Sequence, residues 1–150
     1  MVKLLVSHGA DPAARMNNAH TPLHIAAAGG HVDVEQLLIG NGVDVNAEST
    51  SGGATPLFDA VRHGKEEMTK LLIAHGANVN AYDLYGTPLH IATAEGHRVL
   101  VELIIAAGAD INARATRWYN PGTPLDWAVE AGQVEIADLL RKHGAMSAKP

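Results

Sequence analysis

Thr21-Pro22-Leu23-His24-Ile25-Ala26 returns almost unchanged as Thr87-Pro88-Leu89-His90-Ile91-Ala92. Two looser copies, Thr55-Pro56-Leu57-Phe58-Asp59 and Thr123-Pro124-Leu125-Asp126-Trp127, complete a series whose threonines are 34, 32 and 36 residues apart. Nine residues behind each threonine stands a glycine: Gly30, Gly64, Gly96 and Gly132. Twelve residues further stands another, Gly42, Gly76, Gly108 and Gly144, and Gly9 fits this second series. Nine of the 15 glycines therefore lie on two fixed phases, and a fixed period of this length is the mark of a repeat architecture.

Each phase has a physical reason. Threonine caps a helix by offering its hydroxyl to an early backbone N–H. Proline suits the first helical position, where its missing N–H costs nothing. The first glycine series ends that helix in a left-handed conformation. A second apolar-periodic stretch follows, as in Val32, Val34, Leu37, Leu38, Ile39 and in Leu100, Leu103, Ile104, Ile105. The second glycine series ends it. Stretches such as Val43-Asp44-Val45-Asn46-Ala47 and Asp110-Ile111-Asn112-Ala113 then read as an extended arm leading into the next threonine. The predicted unit is helix, tight turn, helix, protruding hairpin.

These motifs resemble the ankyrin repeat family, whose period and Thr-Pro-Leu-His-x-Ala signature they share. Gly30-His31 and Gly96-His97 match its turn, and His75-Gly76-Ala77-Asn78-Val79-Asn80-Ala81 its helix end and hairpin. The resemblance implies an all-α ankyrin-repeat α-solenoid with protruding β-hairpin loops, built of four helix pairs plus an N-terminal half repeat. The expected organisation is one domain, 1–150: a half repeat at 1–20, repeats at 21–54, 55–86 and 87–122, and a C-terminal capping repeat at 123–150. The resemblance also implies binding through hairpin tips and the first-helix face. It marks Asn46, Asn80 and Asn112 as positions where some family members are hydroxylated.

The column three residues before the second-series glycine reads Val6, Ile39, Ile73, Ile105 and then Arg141. Together with Asp138 and Lys142 the change to charge predicts a capping repeat that turns a polar face to water. At the other end, Met1 falls inside a second helix, so a first helix and a polar cap are missing from the sequence. That predicts apolar surface near Leu4, Leu5 and Leu23, and a monomer or weak self-association through that end.

Composition excludes several function classes. Net charge is −5 with no basic run, against a nucleic-acid binder. No apolar run reaches the roughly 18 residues of a membrane span. There is no cysteine, hence no disulfide, thiolate zinc site or cysteine nucleophile. Seven of the nine histidines sit on repeat phases, too far apart for tetrahedral ligation, so no metal is expected. His20 and His63 are off phase and lack a partner in the sequence. Asp44-Val45-Asn46-Ala47-Glu48 fails as a calcium loop because Ser49 stands where glycine is required. No phosphate loop or nucleophile elbow occurs. The reading is no enzyme, no catalytic residue and no cofactor.

Asp59 and Asp126 stand where apolar residues or histidine stand in the signature, and a buried Asp needs hydrogen-bond partners. Four of the six aromatics lie in two successive hairpins, Tyr82-Asp83-Leu84-Tyr85 and Arg114-Ala115-Thr116-Arg117-Trp118-Tyr119-Asn120. Tyr, Trp and Arg are enriched at binding hot spots. The candidate partner-binding residues are therefore Tyr82, Asp83, Leu84, Tyr85, Arg114, Arg117, Trp118 and Tyr119, which the resemblance extends inward to Arg62, His63 and Glu95. The expected function is non-catalytic protein binding in an intracellular, cytoplasmic rather than nuclear, setting. The alternative is a regulatory or substrate-docking segment of a larger enzyme.

Overall fold

The computed structural model describes residues 8–17, 20–50, 52–115 and 121–149. Eight helices occur among them, in four pairs: α1 (Pro22–Gly29) with α2 (Val32–Gly40), α3 (Pro56–Arg62) with α4 (Glu66–Ala74), α5 (Pro88–Ala94) with α6 (Arg98–Ala106), and α7 (Pro124–Glu130) with α8 (Val134–Lys142). Each first helix starts with its proline behind an extended threonine, as the phase predicts. The contacts divide the chain into two compact units, Met1–Asn78 and Val79–Pro150, each holding two pairs.

The first helix of each pair ends on a left-handed glycine: Gly30 (φ 72°), Gly64 (φ 65°), Gly96 (φ 74°) and Gly132 (φ 69°). Behind it the chain closes the six-to-one bond of a Schellman turn, from His31 N–H to Ala26 O, Lys65 to Ala60, His97 to Ala92 and Gln133 to Ala128, each 2.9 Å. Second helices end likewise, through Val43 N–H to Leu38 O, Ala77 to Leu72, Ala109 to Ile104 and Ala145 to Leu140.

The core of the first unit is Leu23, Leu38, Leu57, Phe58, Met68 and Leu72; that of the second is Leu89, Leu100, Ile104, Leu125, Ile136 and Leu140. Leu23 is fully buried, which corrects the expectation of exposed apolar surface there: it packs inside its own unit, and Ile25, two residues on, is the one 52% exposed. Leu4 and Leu5 lie outside the described residues. Arg141 is exposed where Ile39, Ile73 and Ile105 are half-buried, and it pairs with Asp138 at 2.9 Å.

Among the described residues the arms show closing bonds at the base and no named strand. Ser49 N–H donates to Ala54 O, and Asp83 N–H to Gly86 O. Ala115 and Gly122 form an isolated antiparallel bridge, the β pairing seen among the described residues.

Candidate binding surface

The second unit carries the candidate arms. Asp83 folds the first of them: its Oδ1 accepts the N–H of Tyr85 at 2.7 Å and of Gly86 at 3.0 Å. This Asx turn fixes the backbone and sends both tyrosines outward. Tyr82 is 51% and Tyr85 50% exposed, while Asp83 and Leu84 are half-buried. The Tyr82 hydroxyl donates to Arg114 O at 3.4 Å and so joins the two successive arms. Arg114 itself is exposed. Arg117, Trp118 and Tyr119 lie outside the described residues.

The inward extension draws on both units. Glu95 is exposed at the far end of α5, about 10 Å from the arm by the rise of a seven-residue helix. Arg62 and His63 end α3 in the first unit, where His63 Nδ1–H donates to Asp59 O at 2.8 Å.

The third position of each first helix sorts the repeats. His24 Nδ1 accepts the Thr21 N–H at 3.1 Å and lies 3.0 Å from Thr21 Oγ1. An acceptor Nδ1 places the proton on Nε2, which donates to Ala54 O at 3.1 Å. His90 repeats this with Thr87 and with Gly122 O at 3.2 Å. Burial pushes the His24 imidazole below its ordinary value. It pushes His90 down to about 4, although Gly122 O, Asp110 and Asp126 act to raise it. Both rings are neutral struts between one helix and the arm behind it, with no lone pair left for a metal.

Asp126 and Trp127 are also built into the fold. The Trp127 ring meets His90 edge-on at 5.0 Å and is 8% exposed. Burial pushes the Asp126 carboxyl up, but bonds from Ser147 Oγ, from the N–H groups of Thr123 and Ala148 and from Thr123 Oγ1 outweigh it and hold the group at about 2. The buried Asp therefore has the partners its burial demands.

Two couples escape a reading along the chain. The His20 ring lies 4.8 Å from that of His24, tilted by 49°, and its Nε2 lies 3.9 Å from the Asp59 carboxylate, so the partner the sequence withheld comes from the following repeat. Glu35, fully buried in α2, meets His75 Nδ1 at 3.0 Å, a nitrogen also 3.0 Å from Leu71 O. Its column in the other repeats reads Thr69, Val101 and Ala137, all buried, so a carboxylate there was the available signal.

No group of three His, Asp or Glu among the described residues could hold a metal ion, and no helix among them is long and apolar enough to cross a membrane. A groove between α6 and α8 is lined by Arg98, Glu135, Asp138, Leu139 and Lys142, a charged trough rather than an apolar small-molecule concavity.

Comparison with known proteins agrees with this architecture. Protein phosphatase 1 regulatory subunit 27 of Mus musculus is 45% identical over 51 residues, 34% of this chain and 33% of that protein; the Homo sapiens protein gives the same values. An ankyrin repeat and KH domain-containing protein of Caenorhabditis briggsae is 49% identical over 47 residues, 31% of this chain and 2% of that protein. The chain thus aligns with about a third or less of each relative. The family described as ankyrin repeats in three copies matches residues 1–83, 36–115 and 83–149. With the repeat period, the paired helices and these overlapping matches in agreement, the chain belongs to the ankyrin-repeat family.

Proposed function

We propose that the chain binds a partner protein without catalysing a reaction, and that the binding centre is formed by the arms of the second unit. The observation that carries this is the pair Tyr82 and Tyr85, each half exposed on a backbone that Asp83 already holds. Two large, stiff side chains on a fixed turn lose little entropy on binding, which is how a preformed surface gains affinity. Arg114, joined to the first arm through Tyr82, adds a cationic rim. Arg117, Trp118 and Tyr119 belong to the same proposal by sequence position.

The test is retention of proteins from source lysate by the wild type and by a Tyr85→Ala, Trp118→Ala, Tyr119→Ala variant of unchanged circular dichroism. A protein held by the first and lost by the second supports the site, with about 2 kcal/mol for each hot-spot residue. Equal retention by both would remove the site from these arms.

A second reading is favoured by the name of two relatives: the chain acts as a regulatory subunit of a protein phosphatase. Binding of purified protein phosphatase 1 catalytic subunit by the wild type would support it. No binding at micromolar concentrations would end it.

A further inference from the structure

The segment behind α8 starts as an arm and continues differently. Asn46 in the first unit donates from Nδ2 to Gly76 O, and its Oδ1 accepts the Asn78 N–H at 2.8 Å. Asn80 does the same with Gly108 O and the Asp110 N–H. Asn112 does it with Gly144 O and the Met146 N–H, the latter at 2.7 Å. Up to Met146, then, the segment meets Asn112 through the same asparagine bonds that the earlier repeats use.

Beyond Met146 the bonding changes because the third position of α7 is Asp126 and not histidine. A carboxylate has no proton to offer a following carbonyl, so it gathers donors instead. Oδ1 accepts from Ser147 Oγ, and Oδ2 accepts the Ala148 N–H at 3.0 Å and the Thr123 N–H at 2.8 Å. The Thr123 hydroxyl lies 2.9 Å from Met146 O and 3.1 Å from Asp126 Oδ2. Lys149 pairs with Glu130 on α7.

We propose that residues 145–149 form a strap over the last repeat, latched by the Ser147–Asp126 contact, and that negative charge at position 147 opens it. Three observations bear on this. Asp126 is 4% exposed, so an anion beside it would meet a carboxylate with little water between them. That carboxylate is ionised at neutral pH. The strap is held by polar contacts and not by buried side chains, since Met146 is 65% exposed and Ser147 and Lys149 are exposed as well, and two of those contacts, from Ser147 and Ala148, converge on Asp126. The pair beneath keeps its own core in Leu125, Ala128, Ile136, Ala137 and Leu140, so the strap can lift without unfolding it. Lifting frees the edge that His24 and His90 use in the earlier repeats to hold the arm behind them.

The test is amide hydrogen exchange at Met146 and Ala148 in the full chain, with far-UV circular dichroism as the control for folding. In the wild type the Ala148 amide exchanges about tenfold or more slower than in an unstructured chain. Ser147→Asp brings it to the unstructured rate with unchanged dichroism. Adding Asp126→Asn to that variant removes the like charge and restores part of the protection. Ala148 exchanging freely in the wild type would overturn the strap. Ser147→Asp without effect, or equally fast exchange with Asn at position 126, would overturn the charge latch.

Discussion

Four residues in one column, His24, Phe58, His90 and Asp126, show how a single position tunes a repeat. Where histidine stands, the capping threonine has a partner. Where Phe58 stands, fully buried, the Thr55 hydroxyl is buried with no hydrogen-bond partner among the described residues. An unmatched buried hydroxyl costs more than a matched one yields. Thr55→Val is therefore expected to be neutral or to stabilise by up to about 1 kcal/mol, and Thr87→Val to destabilise by about 1 kcal/mol. Urea titration of both variants checks the contrast; equal losses would mean that Phe58 leaves no deficit. The column also sets acid sensitivity. In the folded chain His90 stays neutral down to about pH 4, while in the unfolded chain it takes a proton near its ordinary value of 6.5. Between those values the unfolded state binds more protons, so stability rises with pH. His90's contribution is complete above pH 6.5 and is lost as pH falls toward 4, on the order of 3 kcal/mol in all. His90→Phe, a side chain the fold already accepts at position 58, is expected to flatten the curve of unfolding free energy between pH 7 and 4.5. An unchanged slope would place the acid sensitivity elsewhere.

At the scale of the element, glycine decides where each helix stops, and not every glycine serves the same end. Gly86 precedes a capping threonine with φ 143°, and a Cβ on it would stand 2.9 Å from His90 Cγ. Gly86→Ala should cost about 1–3 kcal/mol, because the ring it would strike is held at both nitrogens. Gly40 closes α2 with open space where its Cβ would be. Gly40→Ala should stabilise by about 0.5–1 kcal/mol. Thermal unfolding separates the two, and a loss at both would mean that α2 needs its glycine. The two glycine phases were readable along the chain, since left-handed helix ends leave glycine at a fixed offset from the cap. Gly86 and Gly122 were not, because their constraint is a ring or carboxylate four residues on and not a turn. The arms read as β-hairpins because their residues are β-branched. Among the described residues, however, Asp44, Asp83 and Asp110 fold the backbone into Asx turns, and their side chains take backbone donors that a ladder would use.

For the whole molecule, the period made the helix pairs legible, whereas the couples between repeats were not. His20 with Asp59 and Glu35 with His75 join residues about one repeat apart, and the sequence gives each side chain a column without saying which way it reaches. The exposed tyrosines were legible as composition, and their backbone support was not. A chain built in this way spreads its stability by neighbourhood: α1 packs on α2 and α3, while α6 packs on α5 and α8. Damage should follow the same map, since in a repeat array each unit draws stability from itself and its nearest interfaces. Ile104 is fully buried in α6. Ile104→Ala removes three carbons from a packed seam and should cost about 2–5 kcal/mol there. Native-state hydrogen exchange is then expected to show the amides of α5, α6 and α8 losing protection by about thirtyfold to a few thousandfold, on the scale of about 1.4 kcal/mol per tenfold. The amides of α1 and α2, which belong to the other compact unit, should keep theirs within about threefold. A uniform fall from α1 to α8 would instead mean that the chain opens as one cooperative block, with neighbourhood playing no part in how its stability is shared.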